Sequence, residues 1–393
     1  MSLPRLVIFL LNLVQGSLQA ELDRFFEVLD GAWVNTRVVT KAAFSLARRK
    51  MHFGAFQEIN RVVVKSFYTN QVGRRWNGLR LLAIDGSTAL LPRSAEIIEW
   101  FGVVDEGQQP ACPIGRVSAL YDVLNQMVVD AHLAPYRLGE REIAVMHLPM
   151  VGDEDLLLFD RGYPAFWLLS LLRTVELQFC MRTSIEYSPV IAAFVRSGEA
   201  DRIVEMAVGS RARSECHSKR VSTQPVRVRL VRVELSSGEP EVLITSLLDT
   251  QKYPHAVFGD LYHQRWGIEE GYKFLKCRVE IENFSGKSVH AVMQEFHAKI
   301  VTGNLTALNA YQAQSEIPEA PNRHRVRVNF SHAIASMKNT IVRLLTAANP
   351  WPILAAYLNV LRRTVEIVRP GRSAKRLNKL LSPRHRMNYK RCG

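Results

Sequence analysis

The amino-acid sequence predicts an α/β protein flanked by helical regions, on three observations. Between Leu79 and Ser184, short apolar strands are interleaved with helical segments. From Gln224 to Asp249, residues alternate with period two around a turn, as in a hairpin. Before and after these stretches, apolar residues recur at helical spacing.

Residues 1–75 read as a helical amino-terminal region. In "TKAAFSLARRKMHFGAFQEINRVVVKSFY", Phe44, Leu46, Phe53, Phe56, Ile59 and Val63 lie near one helical face with basic residues between them. Residues 76–188 form the first part of the α/β core. "LRLLAIDGSTALLP" predicts a buried strand with Asp85 at its carboxyl end. "RVSALYDVLN" and "QMVVDAHLAPYR" follow as two strands joined near Asn125-Gln126, and a helix is expected from Glu140 to about Met146. "DEDLLLFDRGYPAFWLLSLLRTVELQFCMRTS" then reads as strand, turn, helix, strand, with Asp160 closing the first strand. Three strands, a helix, a strand, a helix and a strand is the order of a ribonuclease-H-like α/β core, in which chemistry gathers at the carboxyl ends of strands.

Residues 189–250 read as a β-rich insertion whose hairpin turns at Ser-Gly-Glu-Pro. Helices resume over 251–315, the helical end of the core, including "YHQRWGIEEGYKFLK" and "SVHAVMQEFHAKIVTGNLTALNAYQ". Residues 316–393 are expected to give a Pro-containing loop, one or two helices and a basic tail.

Composition narrows the function classes. With 393 residues, 47% hydrophobic and 22% charged, the chain can bury a large core and does not read as disordered. The formal charge is +14, and residues 362–393 carry eleven Lys/Arg against one acid, Glu366. Together with a basic region from Arg37 to Arg75, this points to an anionic partner, with nucleic acid favoured. The five cysteines are odd in number and scattered, which argues against a disulfide framework or zinc finger and fits a reducing cytoplasm. The first residues resemble a weak secretory leader. However, Leu18 occupies a position where a small residue is preferred, and the pattern continues as an amphipathic helix through Leu22, Phe25, Phe26 and Leu29. No run of about 18 apolar residues suggests a membrane span.

Tyr262, Arg265, Glu269 and Lys276 fall at i, i+3, i+7 and i+14. On one continuous helix they lie within about 60° of one another. Asp85 and Asp160 end strands expected to be neighbours, and Glu269 lies on a later helix able to pack beside them. Such carboxylates, without histidine or cysteine partners, suit Mg²⁺ or Mn²⁺, and two ions about 3.5–4 Å apart can support in-line phosphoryl transfer. Other acids remain open on residue type alone: Asp122, Asp130, Asp155 and Glu270. A solvated helix face held by a Glu269–Lys273 pair is the bland alternative. Trp266 is expected in the core, and His297, Cys277 and the other histidines and cysteines are expected to be structural.

Tyr262-x2-Arg265-x3-Glu269-x6-Lys276 resembles the Tyr-Arg-Glu-Lys signature of the insertion-sequence-four family of bacterial cut-and-paste transposases. "IDGST" around Asp85 and "FDRGY" around Asp160 resemble that family's two aspartate motifs, in the same order. The resemblance runs from about Lys41 to the carboxyl terminus and includes the central insertion, "NFSGKSVHAVMQEFHAKI" and "RPGRS". It implies a DDE triad of Asp85, Asp160 and Glu269 as ligands of two divalent ions, Mg²⁺ or Mn²⁺. Tyr262, Arg265 and Lys276 would contact phosphates of double-stranded DNA, at the terminal inverted repeats and the target. The family reaction nicks the element end, forms and reopens a hairpin, and joins the 3′ ends to target DNA, with a homodimer in the synaptic complex. The sequence departs from the family in two respects. Only 84 residues precede Asp85, so a reduced end-recognition segment is expected, and no tryptophan lies between Trp167 and Trp266. The competing expectations are a nuclease of the same fold that does not join DNA, and a shortened DNA-binding inhibitor.

Overall fold

In a computed structural model, residues 1–31, 37–70, 73–104, 112–234, 240–318 and 325–368 are described. The chain opens on helices α1 (Leu3–Leu11), α2 (Leu18–Asp30), α3 (Lys41–Arg48) and α4 (Gly54–Asn70). The central region then runs β1 (Arg80–Leu90), α5 (Ala95–Phe101), β2 (Val103–Val104), β3 (Cys112–Asp122), β4 (Met127–Pro135), α6 (Glu140–Met146), β5 (Asp155–Phe159), α7 (Phe166–Thr174) and β6 (Gln178–Thr183). Next come α8 (Pro189–Ser197), β7 (Asp201–Met206), α9 (Ser210–Lys219), β8 (Val226–Glu234) and β9 (Pro240–Thr245). The remaining elements are α10 (Phe258–His263), α11 (Gly267–Cys277), α12 (Val289–Ser315), β10 (Val326–Val328), α13 (Phe330–Thr346), α14 (Trp351–Arg363) and β11 (Val365–Ile367).

The sheet order is β4-β3-β1-β5-β6-β9-β8-β7, with β2 also paired to β3. β1, β3 and β4 are antiparallel neighbours, whereas β5 and β6 run parallel to β1. Leaving out the two-residue β2, the order is third, second, first, fourth, fifth, with an antiparallel meander followed by two parallel crossovers. This is the ribonuclease-H-like core. The crossover strand β5 is buried throughout, as a strand with both faces covered requires.

The period-two alternation of the strands separates two cores. Leu81, Ala83, Leu156 and Leu158 pack with α10, α11 and α12 through Leu261, Ile268, Tyr272 and Phe296. Leu82, Ile84, Leu157 and Phe159 face the other way, toward Leu168, Leu169, Phe194, Val64 and Phe67. A third core joins α1–α4 to α12–α14 through residues such as Phe9, Phe25, Phe44, Val301 and Tyr357.

Buried polar contacts fix how the helices meet the sheet. Arg48 donates to Gln294 Oε1 at 2.9 Å, to Glu295 Oε1 at 3.1 Å and to the Ala291 carbonyl at 3.0 Å, tying α3 to α12. A buried pair of this kind holds only because its remaining polar atoms are also satisfied, and Glu295 accepts further from Ser285 N at 2.7 Å. Strand β4 is bulged: Leu120 pairs with Asp130 but Tyr121 with Val128. The Val128 backbone beside the bulge is satisfied by Asn304, whose Oδ1 accepts from Val128 N at 2.9 Å and whose Nδ2 donates to its carbonyl at 2.7 Å. Asn60 Nδ2 donates to the Val129 carbonyl at 3.3 Å.

Several expectations change. β1 does not end at Asp85 but runs on to Leu90. The stretch from Tyr262 to Lys276 is not one continuous α-helix: a 3-10 turn over Gln264–Trp266 separates α10 from α11. The segment expected as a β-rich insertion also contains helices α8 and α9, and its strands extend the core sheet through the antiparallel pairing of β9 with β6. The expected Ser-Gly-Glu-Pro turn, the "RPGRS" motif and most of the basic tail lie outside the described residues.

Candidate active site

Strand register brings Asp85 and Asp160 together. β1 and β5 pair in parallel, Leu82 with Leu157 and Ala83 with Leu158. Two residues further along each strand stand Asp85 and Asp160, at the same level. The parallel ladder stops at Ala83 and Leu158, while β1 continues alone beside β3, where Asp85 is opposite Ala119. The two aspartates therefore occupy a fork in the sheet. Alternation places Asp85 on the face of Leu81 and Ala83, and Asp160 on that of Leu156 and Leu158, the face covered by α10 and α11.

Helix α11 is seated there by close contacts. Tyr272 donates its hydroxyl to the Asp85 carbonyl at 2.7 Å. Gly271 lies so close to Tyr121 that a Cβ there would stand 2.9 Å from the ring. Lys276 Nζ donates to the Thr88 carbonyl at 2.6 Å, further along β1. Lys276 Nζ also stands 3.9 Å from Glu282. Arg265 is buried, with its guanidinium 3.5 Å from Glu269 Oε1. That guanidinium also acts electrostatically on Asp85. Arg265 thus links Glu269 to Asp85, and Asp85 in turn interacts with Asp160.

Tyr262, expected at a phosphate, is only 5% exposed, and its hydroxyl donates to the Phe159 carbonyl at 3.2 Å, one residue before Asp160. Trp266, expected in the core, is 48% exposed, with the Arg265 guanidinium carbon 5.4 Å from its ring centroid. The tightened 3-10 turn rotates neighbouring side chains relative to a continuous α-helix.

Burial pushes the Asp85 carboxyl up to about 6, and the neighbouring Asp160 and Glu140 charges push in the same direction. The Gly86 N–H and Arg265 act against them. Asp160 accepts from Gly162 N at 2.8 Å, which fixes the "DRG" turn. Two like charges crowded at a partly buried fork, with oxygen donors only, fit an oxygen-preferring divalent cation.

The rival acids are otherwise engaged. Asp122 is fully buried and accepts from Tyr68, Leu124 N, Asn125 N and Asn125 Nδ2 at 2.5–3.0 Å, shaping the turn into β4. Asp155 holds Arg80 in a bidentate pair at 2.6 and 2.7 Å. Glu270, not Glu269, pairs with Lys273 on the exposed side of α11.

Sequence reasoning missed Glu140, the first residue of α6. It is paired with Arg116 at 2.5 Å and lies against Gly86, where a Cβ would stand 3.0 Å from its carboxyl carbon. It also missed a cluster of Asp130, His132 and His147, whose ligand-type atoms all lie within 4.8 Å of one another. The available signal was "DAH" on β4, which sets Asp130 and His132 on one face.

The family model for the transposase DDE domain matches residues 76–305, more than half of the chain. The chain belongs to this family. The matched stretch contains Asp85, Asp160 and Glu269. Among curated relatives, the transposase InsG for insertion sequence element IS4 of Escherichia coli K12 is 24% identical over 278 residues, covering 69% of this chain and 61% of that protein. The putative transposase InsZ of the same organism is 33% identical over 109 residues, covering 27% of this chain and 36% of that protein. The match thus spans about three fifths of the first relative and about a third of the second. Among solved structures, a piggyBac transposase synaptic complex with hairpin DNA aligns with a TM-score of 0.41 at 9% identity, covering 76% of this chain and 60% of that one. No helix among the described residues of this DDE-family chain is long and apolar enough to cross a membrane.

Proposed function

We propose that the protein is a DNA transposase that cleaves and joins insertion-sequence ends at Asp85, Asp160 and Glu269. The observation that supports this most directly is the fork: two aspartates at one level of adjacent parallel strands, under the helix that carries Glu269. Mg²⁺ or Mn²⁺, held as two ions by these carboxylates, would activate the attacking oxygen and stabilise the leaving one during in-line displacement.

The chain's own residues position that chemistry. Tyr262 holds the Phe159 carbonyl and so the start of the Asp160 turn. Tyr272 holds the Asp85 carbonyl. Arg265 orients Glu269 and, with Lys276, offers the positive charge that a DNA phosphate requires. The substrate is double-stranded DNA carrying terminal inverted repeats and then target DNA, and the working form is a homodimer in a synaptic complex. The basic residues of 1–75 and of the 316–393 sequence supply positive charge for DNA, and the 189–250 segment extends the sheet from β6. The site of action is the cytoplasm, on the nucleoid.

The test uses purified full-length protein, Mg²⁺ and duplexes bearing the inverted repeats that flank the gene, with products resolved on denaturing gels. Cleavage, hairpin formation and strand transfer are expected. Asp85→Asn, Asp160→Asn and Glu269→Gln are each expected to abolish cleavage while DNA binding survives. Mg²⁺-dependent cleavage retained by any of the three would remove that residue from the site. Cleavage without joined products would identify a nuclease, and binding without cleavage an inhibitor.

A further inference from the structure

On the opposite face of the sheet from α11, three side chains converge that the carboxylate site does not use. Asp130 and His132 project from β4 on the face away from Ala131 and Leu133, and His147 follows α6 directly. His147 Nδ1 lies 2.8 Å from Asp130 Oδ2, and His132 Nε2 lies 2.9 Å from the same oxygen. The two imidazole rings are 4.6 Å apart at their centroids.

We propose that Asp130, His132 and His147 form a binding site for one Zn²⁺-class transition-metal ion, separate from the carboxylate site. Two imidazoles with one carboxylate are a borderline-soft donor set, suited to Zn²⁺ and poorly suited to Mg²⁺. Ligand atoms about 2.1 Å from a common tetrahedral ion stand about 3.4 Å apart, so each imidazole nitrogen needs to move from the Asp130 oxygen by only about half an ångström.

Hydrogen bonding alone leaves this cluster incomplete. His132 Nε2 is close to Asp130 yet is buried with no hydrogen-bond partner. The contact is short without hydrogen-bond geometry, and in the tautomer protonated at Nδ1 this nitrogen presents a lone pair beside the carboxylate. His297 Nε2 is also buried without a hydrogen-bond partner. A metal ion at His132 Nε2 satisfies the first of these nitrogens.

The outer contacts are those of a metal-bound histidine. With Nδ1 facing Asp130, His147 presents Nε2 to Ser118 Oγ at 3.0 Å, which fixes the ring orientation. The Asp130 and His132 side chains remain 15% and 17% exposed, leaving a route for the ion and a water ligand. Once bound, the ion would fasten β4 to the segment after α6, and Ser118 lies 3.5 Å from the Asp85 carbonyl on the next strand.

The experiment uses the full chain carrying Asp85→Asn, Asp160→Asn and Glu269→Gln together, so that the carboxylate site does not contribute. CoCl₂ is titrated into this protein and followed by its visible d–d absorption, then ZnCl₂ is added in competition. One equivalent of Co²⁺ with an absorption typical of four or five ligands, displaced by Zn²⁺, is expected. His132→Ala on the same background should weaken binding by roughly 100-fold. His132→Gln, which preserves bulk, serves as the second variant, with circular dichroism reporting folding for both. No saturable Co²⁺ binding, or binding unchanged in a folded His132 variant, would overturn the site. The readout is metal binding and does not depend on transposition.

Discussion

Replacing Asp85 by Asn should make the metal-free protein more stable, although it destroys the proposed site. The Asp85 carboxyl is raised from 3.8 to about 6. A carboxyl whose folded pKa lies above its unfolded value favours folding most when protonated, and that contribution is lost as pH rises through the folded pKa. At pH 7.5, ionised Asp85 costs about 3 kcal/mol, at about 1.4 kcal/mol per pKa unit. By pH 5 the cost falls to about half of that, because the folded carboxyl is mostly protonated. For a chain of 393 residues, a 3 kcal/mol gain raises Tm by about 4 °C. Asn retains an oxygen for the Gly86 N–H and a similar shape, so little else changes. Calorimetry in EDTA from pH 5 to 8 measures the effect. The Asp85→Asn advantage should be largest near pH 7.5, shrink toward pH 5, and reverse in Mg²⁺, which stabilises only the parent. Equal melting at pH 7.5, or an advantage independent of pH, would refute the argument that this carboxylate is held against its own charge.

Tyr262→Phe should cost about 1 kcal/mol of stability by leaving the Phe159 carbonyl without its phenol. It should slow cleavage without changing DNA affinity; a fall in affinity measured by fluorescence anisotropy would return Tyr262 to a direct phosphate contact. Gly271→Ala adds a methyl against the Tyr121 ring. Cleavage should fall several-fold more than the melting profile suggests, because Glu269 shifts with α11; unchanged kinetics would show that the helix is not held this tightly. Arg229 is fully buried, paired with Asp201, and donates to the Tyr253 carbonyl at 2.7 Å. Arg229→Ala should cost about 3–5 kcal/mol in urea unfolding, with Arg229→Met costing less. Equal losses for the two variants would exclude a packing contribution and assign the whole effect to the lost ion pair and hydrogen bonds.

The strands and the crossover helices of the core are legible because their burial is regular. β5 is a continuous apolar run, and α6 falls at Glu140–Met146, the range its sequence pattern indicates. What the sequence hides is set by tertiary contact. Asp-Gly-Ser reads as a turn, but β3 pairs with β1 as far as Leu90 and keeps the backbone extended. The Tyr262–Lys276 stretch has helical periodicity throughout, and nothing in its composition marks the 3-10 turn at Gln264–Trp266. Periodicity locates Tyr262 on the acidic stripe but cannot show that its hydroxyl is taken up by Phe159. His132 and His147 are fifteen residues apart on different elements, so no metal-ligand spacing links them until β4 and α6 are folded together. Glu140 is an ordinary first-turn acid by sequence, and it meets Gly86 only because α6 crosses β1.

The pairing of β9 with β6 has a mechanical consequence. A module joined to its host by two flexible linkers can swing as a flap without disturbing the host. Here β9 is zipped to β6, with Met181 opposite Ile244, and β6 is zipped to β5, with Phe159 opposite Met181. Two hydrogen-bonded ladders therefore connect β9 to the residue next to Asp160, and two more carry the connection out to β8 and β7. Displacing β7 or β8 relative to the fork therefore requires breaking or shearing at least one of these ladders, which a linker-tethered flap would not.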